Sequence, residues 1–65
     1  MTYYVLYNPS KNGYYGPPGL NDGKLWVSLI DANAFPDFEY CKRYGSLYGA
    51  DIVVRKVTLT VEDVP

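Results

Sequence analysis

Residues 31–49, DANAFPDFEYCKRYGSLYG, hold the one convincing helix of the chain, and the fold follows from how that helix is read. Stepping about 100° per residue from Phe38 places Phe38, Gly45, Cys41, Tyr48, Tyr44, Tyr40 and Leu47 on one continuous half of the wheel. Lys42, Ser46, Glu39 and Arg43 take the other half. A wide apolar face opposite a solvated one is what a helix lying on a sheet or a partner requires. Pro36 pushes the residue before it out of the helical region, so the helix is predicted to start after it, with Asp37 as N-cap or Pro36 at the first helical position. Asp37 and Glu39 then sit at the positive end of the helix dipole, and Lys42 and Arg43 lie further along. Gly45 ends the helix early or Gly49 ends it late.

Outside this stretch the chain reads as strand and loop. Thr2 to Tyr7, TYYVLY, is aromatic and β-branched and stops at the turn signal Asn8-Pro9, which makes it the first strand. Both of its faces are apolar, Tyr3, Val5 and Tyr7 against Tyr4 and Leu6. It is therefore a central strand covered on both sides or one whose tyrosine face is partly exposed. Asn8 to Lys24 carries Asn-Gly, Gly-Pro-Pro-Gly and Asp-Gly. Asn12-Gly13 is a favoured hairpin pair, so Tyr14-Tyr15 returns as a very short strand before Pro17-Pro18 halts pairing. Lys24 to Ile30 is expected as the next strand and, with the helix, as the middle of the core. Asp31 to Phe35 is expected to turn. Asp51 to Val61, DIVVRKVTLTV, is the clearest strand of all, and Glu62 to Pro65 an acidic tail. The order strand, short strand, strand, helix, strand predicts an α+β fold, β-(β)-β-α-β. A small antiparallel sheet of three to four strands carries one amphipathic helix on one face.

The whole chain, residues 1–65, makes one domain, at a size where folding hides only about 60% of the surface of the unfolded chain. With one cysteine and no histidine, neither a disulfide nor a Cys/His metal cluster supplies extra stability. Dimerisation or partner binding is the remaining source. A net charge of −1 gives no basis for strong nucleic-acid binding, which draws on phosphate neutralisation. No stretch approaches the roughly 20 apolar residues of a membrane span, nor does the N-terminus read as a signal peptide. The expected setting is a reducing cytoplasm.

The tyrosine-rich first strand, the Gly-rich hairpin loop, Trp26, then Ala32 and Phe35 three apart and a capped helix leading to a Val-rich strand resemble small bacteriophage proteins of β-β-α-β type. The resemblance covers nearly the whole chain, and departs from the type at Cys41, where alanine is usual, and in the long Gly-Pro loop. It implies a phage or prophage origin and, for a protein of this size, inhibition of host machinery or immunity. No site residues come with it.

Catalysis finds little support. Cys41 lies on the apolar helix face with no histidine to activate it, and a buried structural thiol is the simpler reading. Asp37 and Glu39 are spaced as first-turn helix residues rather than as an acid-base pair. No catalytic, cofactor-binding or metal-ligating set is therefore expected. The eight tyrosines exceed what so small a core requires, and tyrosine is enriched where proteins bury rigid amphipathic area against partners. Tyr14, Tyr15, Pro17 and Pro18 form the expected recognition patch on the Gly-rich loop, joined by Tyr40 and Tyr44 on the helix edge. Tyr40, Tyr44 and Leu47 are alternatively a dimer seam. The reading that follows is a non-enzymatic module that occludes a site on a host protein or defence complex. A nucleotide-sequestering oligomer, stacking bases on tyrosine beside Lys11, Lys24 or Arg55, is the alternative, and a structural or assembly protein a third.

Overall fold

The computed structural model describes all 65 residues. The aromatic and β-branched run at the N-terminus forms β1 (Thr2–Asn8), and its position explains its composition, since it is flanked on both sides. β2 (Gly13–Tyr15) and β4 (Val53–Thr58) pair with it antiparallel, and β3 (Trp26–Val27) pairs antiparallel with β2, giving the sheet order β3-β2-β1-β4. The single helix α1 (Phe38–Gly45) lies across one face of this sheet, as the α+β reading expects.

The hairpin between β1 and β2 turns through Pro9–Asn12, closing at Asn8 opposite Gly13. Asn12, not glycine, takes the left-handed conformation, with φ of 47°. Asparagine tolerates that region because its short polar side chain bonds locally, and here its Oδ1 accepts from the Tyr7 hydroxyl at 2.7 Å. Gly13 serves packing instead. A Cβ there would sit 3.1 Å from the Cβ of Trp26 on the neighbouring strand. The Asn8 side chain, buried at the end of β1, accepts from the Ser10 amide and hydroxyl and so caps the turn.

Beyond β2 a one-turn 3-10 helix follows at Pro18–Leu20, held by the Asn21 side chain donating to the Pro17 carbonyl at 2.8 Å. The expected strand over Lys24 to Ile30 shrinks to Trp26–Val27. Its only partner is β2, and past Val27 the chain would run alongside Gly13, where β2 gives way to the hairpin turn. Leu29–Asp31 accordingly coils into a second 3-10 turn, leaving Ile30 exposed. The Trp26 strand thus sits at the sheet edge, and β1 occupies the middle of the core. Residues 33–35 then run back along β1 and β2. Tyr4 and Phe35 exchange both main-chain bonds at 2.8 Å, and the Asn33 amide donates to the Tyr15 carbonyl.

α1 begins as its sequence dictates. Asp37 is the N-cap, its carboxylate accepting from the Tyr40 amide at 2.8 Å. Cys41 and Gly45 are the buried positions of the helix, above Leu6 of β1. Gly45 closes the regular helix and is also the point of closest approach to the sheet. A Cβ added there would lie 2.7 Å from Leu6 Cδ2. Ordinarily alanine gains about 1 kcal/mol over glycine within a helix. At Gly45 the clash with a fully buried leucine outweighs it, so Gly45→Ala is expected to lower unfolding free energy by about 1–2 kcal/mol in denaturant titration.

Candidate functional site

Alternation along β2 separates the two loop tyrosines that the sequence placed together, because adjacent strand residues face opposite sides. Tyr15 points under the helix and Tyr14 points away from it. They form no common exposed patch. Tyr15 is 7% exposed and touches the rings of Trp26, Phe35, Tyr44 and Tyr48 at centroid distances of 5.2–6.4 Å. Its hydroxyl bonds to that of Tyr44 at 2.8 Å, which is how a phenol is buried without an orphaned polar atom. The bond with Tyr44, reinforced by burial, holds the Tyr15 pKa well above the ordinary tyrosine range. Hydrogen bonds with Tyr15 and then Tyr48 lower that of Tyr44, making it the member of the cluster that ionises first.

Tyr14 joins a second aromatic group on the helix-free face. Its ring lies 5.0 Å from that of Tyr7, and the Arg55 guanidinium stacks over Tyr7 at 3.8 Å while donating to the Tyr14 hydroxyl at 2.8 Å. Arg55, one of the cations expected beside a stacked base, is thereby occupied within the fold. Val5, between these side chains, is fully buried although no helix covers this side. Lys11 and Lys24 line a different hollow, with Trp26 but also with Asp22 and Asp31.

Four of the expected patch residues gather elsewhere. Tyr15, Pro17, Tyr40 and Tyr44 line an open hollow of about 610 Å³ between α1 and the segment 33–37, with the buried Phe35 in its lining. Pro18 is exposed at the start of the 3-10 turn and does not line it. Tyr40 stands 53% exposed at the rim, its ring stacked on Tyr44 at 6.1 Å. Arg43 lines this hollow and a smaller one continuing it toward Leu47, which is 75% exposed. None of the side-chain hydrogen bonds of the fold uses the Arg43 guanidinium. Asp37 also lines the hollow and is engaged as N-cap. The surface is thus apolar and aromatic along its floor, with one uncommitted cation at its lip. Arg43 and Leu47 were visible in the sequence as helix-edge neighbours of Tyr40 and Tyr44, one turn apart. The missing signal was that residues 33–37 build the opposite wall.

Cys41 is fully buried, and burial pushes its thiol up to about 11. It is a neutral packing group at pH 7. No protein-family model, characterised protein or solved structure matches the chain.

Two measurements follow from these placements. Tyr15→Ala removes the ring that all the others touch and should cost about 3–5 kcal/mol in chemical denaturation, whereas Tyr40→Ala should cost no more than about 1 kcal/mol. The Cys41 pKa rises from 9.0 unfolded to about 11 folded, so folding favours the protonated thiol. Its contribution to stability is complete below pH 9 and is lost as pH climbs to 11. Unfolding free energies measured across this window should fall less steeply in Cys41→Ala than in the parent chain.

Proposed function

We propose that this chain is a small binding module that docks on another protein through the aromatic hollow beside α1 and occludes a site there. In the phage setting suggested by the sequence resemblance, the target is a host protein or a defence complex. The observation that carries this reading is the combination at the hollow of Tyr40 and Leu47 exposed, Tyr44 and Phe35 below them and Arg43 unengaged. Tyrosine and arginine are the residue types that most often dominate interface energetics, and rings already stacked on one another lose little freedom on binding. Arg43 favours a partner that brings a carboxylate to the lip of the hollow, where a guanidinium is matched by two parallel hydrogen bonds. The mode of action is steric, and it asks no chemistry of the module.

The pair Tyr40→Ala and Arg43→Glu separates this surface from the fold. Each variant should keep its thermal midpoint within a few degrees of the parent while affinity for a partner captured from host cells drops at least tenfold. Retention of parental affinity by both variants would reject the hollow as the docking surface. Stabilisation of the chain by free nucleotides, read as a rise in midpoint that grows with ligand concentration, would favour the nucleotide-sequestering alternative in its place.

A further inference from the structure

β4 is an edge strand, and the residues after it are a mirror of it. From Val54 to Val64 the sequence reads VRKVTLTVEDV. About Leu59 the apolar and threonine positions repeat symmetrically, Thr58 with Thr60, Val57 with Val61, Val54 with Val64. The charges invert: Lys56 answers Glu62 and Arg55 answers Asp63. Such a segment is complementary to itself when two copies run antiparallel.

The main chain agrees with that arrangement. Met1 and Leu59 exchange hydrogen bonds in both directions, so the β1–β4 ladder continues to Leu59. In an antiparallel ladder the main-chain groups of successive residues alternate between the two sides. Those of Val53, Arg55, Val57 and Leu59 therefore face β1, and those of Val54, Lys56 and Thr58 face outward with no neighbouring strand. With a two-fold axis at Leu59, Thr58 falls opposite Thr60 of a second copy, Lys56 opposite Glu62 and Val54 opposite Val64, every one a pair whose main-chain groups point at each other. Leu59 meets its own counterpart as a non-hydrogen-bonded pair, the kind in which side chains lie closest. On the helix-free face Arg55 meets Asp63 and Val57 meets Val61. Arg55 gives one guanidinium donor to Tyr14 and keeps others for a carboxylate.

The register is specific. Moving the axis to Thr58 sets Arg55 against Val61 and Lys56 against Thr60; moving it to Thr60 sets Lys56 against Val64; pairing β4 alone about Arg55 sets that arginine against itself. Only the axis at Leu59 matches every charge. Folding the tail back onto its own β4 in the same pairing requires Thr58, Leu59 and Thr60 to form the turn, which breaks the Leu59–Met1 bonds and places β-branched residues where turn formers belong. In the single chain the tail is unpaired, with Leu59, Val61 and Val64 at 47%, 94% and 89% exposure.

We propose that two copies of this chain associate through residues 54–64, antiparallel about Leu59, joining their sheets into one continuous sheet with the charges of β4 and the tail interlocked. The surface is distinct from the hollow beside α1, whose lining includes no residue of β4 or the tail.

Two charge variants test this on the full chain. Glu62→Lys with Asp63→Lys makes both β4 and the tail basic; Arg55→Asp with Lys56→Glu makes both acidic. By sedimentation and native mass spectrometry the parent should be a dimer that weakens with added salt. Each double variant alone should lose at least about a hundredfold in dimerisation, and the two mixed should form a one-to-one heterodimer. Should the acidic variant fail to fold through loss of the Arg55 contacts, Leu59→Cys is an independent readout. Cysteines facing each other across the axis should oxidise to a covalent dimer, with Cys41 too buried to compete. A parent that stays monomeric to about 1 mM, dimerisation unaffected by the basic variant, or a Leu59→Cys chain that fails to cross-link would each overturn the proposal. Slowed amide exchange over 60–64 in a monomer would do the same, in favour of an intramolecular hairpin.

Discussion

The structure depends on burying one phenol. Tyr15 is the common neighbour of Trp26, Phe35, Tyr44 and Tyr48, its carbonyl receives the Asn33 amide, and its hydroxyl meets that of Tyr44. The ring therefore ties β2 to β3, to the returning segment 33–35 and to the helix, within a cluster where Trp26 also meets Tyr48 and Phe35 meets Tyr40 and Tyr44. A leucine in its place would supply area but no partner for the Tyr44 hydroxyl. Tyrosines cluster here because each brings both a large apolar surface and a polar tip that its neighbour satisfies. The aliphatic residues of the chain lie largely elsewhere, Leu20, Ile30, Leu47, Val61 and Val64 being exposed, and its fully buried positions are few: Val5, Leu6 and Cys41.

Most of the fold could be read from local chemistry. The β-branched and aromatic run of β1, the Asp37 cap, the short strand at Tyr14-Tyr15 and the Val-rich β4 are each set by a few adjacent residues and each forms, although β4 covers Val53–Thr58 of the expected Asp51 to Val61, since only that part lies beside β1. What was not legible depends on partners distant in sequence. The strand expected over Lys24 to Ile30 is limited by the length of β2 rather than by its own composition. Gly45 reads as a helix terminator, and its role as the contact with Leu6 depends on where the sheet lies. The candidate site shows the same division. Tyr40, Tyr44 and Pro17 could be singled out from the sequence as candidates, but their assembly into one hollow depends on the path of residues 33–37, and the assignment of Tyr15 to the core rather than the surface depends on strand parity.

An eight-residue helix cannot cover a four-stranded sheet. Regions of the sheet are therefore left uncovered, and the sequence treats them differently. On the far face the Arg55 guanidinium stacks over the Tyr7 ring and bonds to the Tyr14 hydroxyl, and Val5 is fully buried, so that side chains substitute for a missing layer and the stacked guanidinium keeps the surface wettable. Beside the helix no such roof is built. There the aromatic floor is left open and the Arg43 guanidinium makes no side-chain hydrogen bond, which is the difference between a face that has been closed and one that has not.

The free edge of β4 presents the opposite problem, since an unpaired strand rich in valine invites uncontrolled pairing. Arg55 and Lys56 answer it by repelling another copy of β4 in the registers that bring those residues together. The acidic residues of the tail convert the same charges into attraction at a single register. Discrimination by charge of this kind costs little in the monomer, where both sets are solvated, and acts only when two edges approach. Joining two copies through this edge leaves the hollow of each copy open, so the assembly would present two copies of the proposed docking surface at a separation fixed by the continuous sheet. For a partner that is itself symmetric, the second contact then forms at a high effective concentration, and a modest affinity at each hollow is enough for lasting occlusion.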